Sequence, residues 1–478
     1  MKARLFAEEN RKWWTLGALA FALFMIMLDN TVVNVALPSI QGELGIGLSE
    51  LEWTVNAYAL TFAVLMLSGG KLADFFGRRR VFLIGLVIFT LASLACGLAT
   101  TGGTLIGART VQGVGAAIML PATLSIISAT FPPHQRGMAI GIWAGVSAMA
   151  LAIGPLIGGL ITEHIAWSWI FFVNVPIGVL GFVVSSLVIG ESRDTSAEQR
   201  LDFPGLIASA VALFALTFAL IEANAYGWGD PVILGLFVLS AVAAAAFVWL
   251  EAHQRAPMLD LSLFRSSTFA GANVVALLVT LAMFGVFFFM SIYMQNILGY
   301  SATKTGAVFL PMTVLIILIA PAAGKFSDRV GSRWLMTAGM TCLTVALIIF
   351  SRLGLDSGFW DIAPGLVVGG LGMGLVMTPM TAAALGSVPV EKSGVGSGVL
   401  NTFRQVGGAL GIAVMGAIVA SYIDLDAAGP PDPEAFIDGF RRALEVSAVF
   451  ALVGAVIAAG TIRKHRHLDA GDLAEAAA

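Results

Sequence analysis

Apolar runs of about twenty residues, parted by short polar breaks, fill nearly the whole chain. A helix needs ~20 apolar residues to cross the ~30 Å hydrocarbon core of a bilayer. By that measure the pattern predicts fourteen membrane helices, over 13–37, 51–70, 81–99, 104–129, 138–161, 169–189, 205–222, 232–250, 268–294, 305–324, 334–350, 361–383, 394–421 and 442–460. An even count puts both termini on one side. The first run is too long for the apolar part of a signal peptide, so it reads as the first membrane helix.

Composition agrees with lipid as the main solvent. Of the 478 residues, 58% are hydrophobic and 12% charged, against about 25% charged in soluble domains. Mean hydropathy is +0.91. No basic patch carries interleaved aromatics, which argues against nucleic acid as a partner. Cys96 and Cys342 sit far apart inside apolar runs and read as small buried hydrophobes, with no disulfide framework.

Charge sets the orientation. Lys and Arg gather in cytoplasmic loops of membrane proteins. With the N-terminus inside, twenty of the 26 Lys and Arg fall on the cytoplasmic side and four outside (Lys304, Arg352, Arg441, Arg442), while Arg109 and Arg404 lie within helices. One helix more or fewer would invert every later loop and destroy this asymmetry.

The polar breaks also hold a repeat. GKLADFFGRRR at Gly70–Arg80 and GKFSDRVGSR at Gly324–Arg333 share Gly, Lys, Asp, Gly and Arg at an offset of 254 residues. FPPHQRG at Phe131 and VPVEKSG at Val388 share Pro and the final Gly at an offset of 257. Helices 1–6 therefore correspond to helices 9–14, and helices 7 and 8 are an insertion. The expected organisation is a six-helix bundle over 1–189, a cytoplasmic linker over 190–204, two inserted helices over 205–250, a cytoplasmic loop over 251–267, a second six-helix bundle over 268–460 and a tail over 461–478.

Two six-helix halves with this hairpin string resemble the major facilitator superfamily, a transporter fold built from repeats. GKLADFFGRRR resembles the family's helix 2–3 loop signature. LIGARTVQGVGAAIMLP (Leu105–Pro121) resembles its helix-4 motif with an intramembrane Arg, here Arg109. GVSAMALAIGPLIGGLI (Gly145–Ile161) resembles the helix-5 antiporter motif. LDNTVVNVALPSI (Leu28–Ile40) resembles the helix-1 motif of the fourteen-helix drug:proton antiporters, the QacA/EmrB-like group. The resemblance implies an all-α polytopic membrane protein with two six-helix bundles and two inserted helices. It also implies proton-driven export by alternating access.

Individual residues take roles in that reading. Gly70 and Gly77 let the hairpin helices approach closely. Asp74 can accept hydrogen bonds at a helix N-terminus; by family analogy its partner is the start of helix 13, near Ser393 and Gly394, which would latch the halves. Arg78 and Arg79 belong to the same string, or act only as topology anchors. Gly154, Pro155, Gly158 and Gly159 permit close helix contact and a kink, so generic packing competes with a pivot between the halves. Charges inside the bilayer are costly and usually face a partner or a cavity. Asp29 and Arg109 lie at similar depth, so Asp29 is expected to couple protons with Arg109 as its modulator. Glu222 and Glu52, near the outer helix ends, are the alternative protonation sites. Met25, Asn34, Asn56, Tyr58, Phe284, Phe288, Arg404 and Gln405 are candidate substrate contacts, Met and aromatic surfaces being suited to promiscuous binding.

The expected function is proton-coupled export of a small amphipathic drug or metabolite. The alternatives are export of one endogenous metabolite, antibiotic or lipid, or uptake by symport. No phosphate-binding loop of the GxxxxGK[ST] type occurs, which argues against an ATP-driven pump. No nucleophile–base pair or metal-like His cluster suggests an enzyme, and no cofactor is expected. The protein is expected in the cell (inner) membrane, multi-pass, as a monomer with both termini cytoplasmic. An accessory export protein is an open question at this stage.

Overall fold

The computed structural model describes residues 8–193, 202–254, 257, 259–388, 393–423 and 432–463. Among these, the regular elements are helical. They are α1 (Glu8–Leu44), α2 (Leu48–Phe76), α3 (Arg78–Gly97), α4 (Gly102–Thr130), α5 (Pro133–His164) and α6 (Trp169–Val188, interrupted at Val173). Then come α7 (Phe203–Tyr226), α8 (Pro231–His253) and α9 (Ser267–Ile297, ending in a π-turn from Tyr293). The last are α10 (Ala302–Val308, continuing past Phe309 as Leu310–Val330), α11 (Ser332–Phe350), α12 (Phe359–Gly386), α13 (Ser393–Ala420) and α14 (Pro433–Thr461). Among the described residues, twelve helices are long and apolar enough to cross a membrane. Two more, α2 and α5, are 29 and 32 residues long.

Helix packing repeats along the chain. α1 packs on α5, α2 and α3 pack on α4, and α3 packs on α6. Eight helices later, α9 packs on α13, α10 and α11 on α12, and α11 on α14. The hairpins repeat too. Gly77 between α2 and α3 has φ 107°, and Gly331 between α10 and α11 has φ 92°. Each donates its N–H to the carbonyl four residues back, Ala73 and Ser327 respectively. That backbone geometry suits glycine and strains other L-residues, so the recurrent Gly of the two strings is explained.

The two sets of helices meet along α2 with α13 and α5 with α10. α7 lies across the α2–α13 seam, and α8 packs chiefly on α7. At the end opposite the hairpins the seams are closed. Gln295 donates to the Val35 carbonyl at 2.9 Å, and the Thr303 N–H donates to Glu163 at 2.8 Å. A side chain on Gly159 would reach within 2.4 Å of the Ala302 carbonyl, and one on Gly306 within 2.2 Å of the Pro155 carbonyl. Toward the hairpins α5 also has uncovered surface: Met138, Ile142 and Met149 are exposed, and Gly145 has open space before it.

Candidate functional site

The densest buried polar cluster joins α1, α2, α3, α4 and α6. Asp29 and Arg109 are each 1% exposed and form an ion pair at 2.5 Å. The second Asp29 oxygen accepts from Gln112 Nε2 at 2.9 Å and Asn174 Nδ2 at 3.1 Å. Arg109 also donates to Gln112 Oε1 at 2.6 Å and, through Nε, to the Thr54 carbonyl at 3.1 Å. Ser93 Oγ accepts from Gln112 and Asn174, and the Cys96 thiol reaches Gln112 Oε1 at 3.7 Å. The Tyr58 ring lies 4.3 Å and the Phe171 ring 5.7 Å from the guanidinium carbon, within range for cation–π attraction.

Asp29 is shut away from water, and the folded chain surrounds it with donors from two other helices, Arg109 and Gln112 of α4 and Asn174 of α6. The Asp29 charge is compensated and both its oxygens accept hydrogen bonds, as a buried ion pair requires. Gln112, Asn174 and Ser93 are the residues that sequence reasoning missed. Gln112 stands three residues from Arg109 and so shares its helix face; that spacing is the one signal available for it.

Several expected substrate contacts are packed away. Met25, Asn56, Tyr58 and Phe288 are 0% exposed, so none offers surface to a substrate in this conformation. Tyr58 serves the Arg109 cluster, Met25 sits in the apolar core of the first six helices, and Phe288 packs against Phe289 in the second core. Asn34 is nearly buried, with its amide directed to the Asn30 carbonyl at 3.4 Å. Phe284, Arg404 and Gln405 are half-buried. Phe284 covers Gly408, and the Arg404 guanidinium lies 3.6 Å from the Met377 sulfur.

The helix-5 stripe divides between two partners. Gly154 and Gly158 face Thr31 and Val32 of α1, while Pro155 and Gly159 face Gly306 and Ala302 of α10. One short segment of α5 therefore touches both sets of helices. In the hairpin, Gly70 faces Pro121 and Gly77 faces the Glu191 carboxylate. The Arg78 N–H bonds to the Ser192 carbonyl at 3.0 Å and its guanidinium to the Ser125 carbonyl at 3.4 Å. Arg79 bonds through its N–H to Glu191 and through its guanidinium to the Ser186 carbonyl. The arginines thus tie the hairpin to the segment after α6. Ser393 and Gly394 form the start of α13, and the side-chain surroundings of Asp74, Ser393 and Gly394, the members of the expected latch, lie outside the described residues.

Glu222 and Glu52, the alternative protonation sites, lie at the end of the fold opposite the hairpins. Glu222 of α7 accepts from Ser49 Oγ at 2.6 Å and Trp53 Nε1 at 3.1 Å on α2. Glu52 of α2 is 2% exposed and abuts Gly416 of α13.

Residues 19–412 match the Major Facilitator Superfamily. The chain belongs to the major facilitator superfamily. It is a multi-pass membrane transporter, and the resemblance read from its motifs is confirmed at the level of the family. A tetracenomycin C resistance and export protein of Streptomyces glaucescens is 36% identical over 98% of this chain and 86% of its own length. A puromycin resistance protein of Streptomyces alboniger is 36% identical over 93% of this chain and 89% of its own. The multidrug resistance protein Stp of Mycobacterium tuberculosis (strain CDC 1551 / Oshkosh) is 37% identical over 86% and 76% respectively. Among solved structures, a bacterial homologue of the human lysosomal transporter Spinster superposes with TM-score 0.66 at 17% identity, over 95% of this chain and 98% of that one. That likeness concerns the fold.

Proposed function

We propose that this chain is a proton-coupled exporter of amphipathic drugs or metabolites, working by alternating access in the inner membrane. In this reading α2 and α5 also span the bilayer, giving fourteen spans with both termini cytoplasmic. The halves are 1–189 and 268–460, and α7–α8 are an insertion. The hairpins then face the cytoplasm, and the closed seam faces outward. The protein acts as a monomer.

The observation that carries the proton-coupling reading is the Asp29–Arg109 pair, held inside the first bundle by Gln112 and Asn174. A carboxylate fixed by movable helices changes its proton affinity when its donors leave. Rearrangement of α1 against α4 would release Asp29 from Arg109 and allow it to take a proton. The antibiotic-resistance relatives support a drug-like cargo, and Arg404, Gln405 and Phe284 are the remaining candidates to meet it.

The test is transport in proteoliposomes with an imposed pH gradient, scanned over cationic, neutral and anionic dyes. Gradient-driven dye movement that is lost in Asp29→Asn supports the reading. Dye movement indifferent to the gradient overturns it.

A further inference from the structure

The outer end of the α2–α13 seam holds a carboxyl group with no electrostatic partner of opposite sign. Glu52 is 2% exposed, and its Oε2 has no hydrogen-bond partner. The carboxyl lies so close to the Gly416 backbone that a Cβ there would fall 2.0 Å from Oε1. Gly416 belongs to α13, so opening this seam would separate the two residues and admit water to Glu52.

The neighbouring charges are of the wrong sign or already engaged. From α7, Glu222 lies near enough to act electrostatically on Glu52, held there by Ser49 and Trp53. On α13 the nearest charged side chain among the described residues is Arg404, about three turns away. From α4, Arg109 is committed to Asp29, Gln112 and the Thr54 carbonyl. On α2 itself, Glu50 caps the Gly47 N–H at 3.2 Å. An ionised carboxylate shut away from water without a donor is far costlier than the neutral acid, and a second carboxylate nearby adds to that cost.

α7 is built onto both sides of this seam. Trp53 of α2 packs against Phe214 and Phe218, with ring centroids 5.5 and 5.9 Å away. Asn224 donates to the Ala417 carbonyl of α13 at 2.6 Å. The inserted helix therefore carries Glu222 to the gate and bridges its two edges.

We propose that Glu52 is a second proton-binding site, separate from Asp29, where closure of the outer gate against Gly416 takes up one proton from the outer side and Glu222 of the inserted helix sets the pH at which it does so. The sidedness rests on the export reading; the linkage between closure and protonation does not. Closing brings Gly416 over Glu52 and expels its water, so only the neutral acid fits the shut seam. Opening restores water and lets the proton leave to the outer side. Acid outside thus favours the closed gate.

The experiment measures gate distance by electron spin resonance in nanodiscs, with spin labels at Gly47→Cys before α2 and Ser421→Cys after α13, both exposed at the outer end of the α2–α13 seam. With the native Glu52, this distance should lengthen as pH rises and the acid gives up its proton. Glu52→Gln, nearly isosteric and always neutral, should hold the short distance at every pH. Glu222→Gln removes the repelling charge and should move the midpoint of this titration to lower pH. Gly416→Ala displaces the Glu52 carboxyl and should favour the long distance. A pH response in Glu52→Gln equal to that of the parent overturns the proposal, as does a short, parent-like distance in Gly416→Ala. Dye exchange in liposomes is read separately. Its absence alongside an intact distance titration would sink the export reading and leave the Glu52 site standing.

Discussion

Glu163, at the end of α5, accepts a 2.8 Å hydrogen bond from the backbone N–H of Thr303, in the first turn of α10. This bond joins the two sets of helices at the end opposite the hairpins. Hydrogen bonding by Ser301, with further donation from Thr303, lowers the Glu163 carboxyl to about 2. A carboxylate whose acidity is raised by a contact strengthens that contact above its ordinary range and loses it as pH falls through the lowered value. The contact should therefore be fully present at pH 5–8 and weaken below about 4.5, the ordinary range of a free glutamate. Glu163→Gln should loosen this corner at neutral pH and remove the acid-dependent part of the change. Spin-label distances between Ile165→Cys and Lys304→Cys, titrated down to pH 3, check it. Loss of gate closure with identical pH dependence in parent and variant would count against the assignment.

Gly306 offers a steric test of the same seam. Its Cβ would sit 2.2 Å from the Pro155 carbonyl, a backbone atom. Gly306→Val should therefore hold α5 and α10 apart and favour the open seam. A population shift of 1–3 kcal/mol changes affinities by roughly 5–150-fold, and transport should fall by a factor in that range. Gly145→Ala, placed on the uncovered part of α5 with open space around it, should leave transport nearly unchanged. Equal defects in the two variants would mean that the loss comes from helix destabilisation rather than from the seam.

Asp74 tests the hairpin latch. If its carboxylate holds the start of α13, Asp74→Asn should weaken transport more than dye binding, because a population shift need not touch the binding surface. Reactivity of single cysteines toward a water-soluble maleimide on the hairpin side should rise in the variant. Unchanged reactivity would leave the backbone bonds of Arg78 and Arg79 to Ser192 and Glu191, which tie the hairpin to the segment after α6, as its whole structural role.

The elements legible in the sequence are those marked by an unusual residue in a uniform background. An aspartate and an arginine at matched depth in apolar helices stand out because each is costly alone, and their pairing follows. Gly77 and Gly331 stand out because two strings repeat around them. Asn174, Gln112 and Ser93 do not stand out. Neutral polar residues are cheaper in a membrane than charges, and whether they meet depends on how α3, α4 and α6 are rotated. Met25, Tyr58 and Phe288 show the converse difficulty. Apolar residues cover most faces of their helices, so no stripe distinguishes the face toward a neighbouring helix from the face toward a cavity. Glu52 was visible as an acid near a helix end, but its contact with Gly416 joins residues 364 positions apart and has no local signal.

The Asp29–Arg109 pair makes opposite demands on stability and on transport, and that separates its two roles. Breaking a buried ion pair by removing one partner typically costs 3–5 kcal/mol, because the other charge is left uncompensated. Arg109→Met should therefore destabilise the protein by about 3–5 kcal/mol, leaving Asp29 with only Gln112 and Asn174 as donors. Asp29→Asn should cost less than a nonpolar replacement, since the amide oxygen still accepts from those neighbours. The double variant Asp29→Asn with Arg109→Gln removes both charges and keeps polar groups for Gln112, Asn174 and the Thr54 carbonyl. It should recover much of the stability lost in Arg109→Met. If Asp29 carries the coupled proton, the double variant should still fail to accumulate dye against its gradient. Thermal unfolding in detergent measures the first quantity, and pH-driven dye exchange in liposomes with matched protein content measures the second. Stability recovered together with proton-driven exchange would make the pair structural and move proton coupling to other acids, with Glu52 and Glu222 the first to examine.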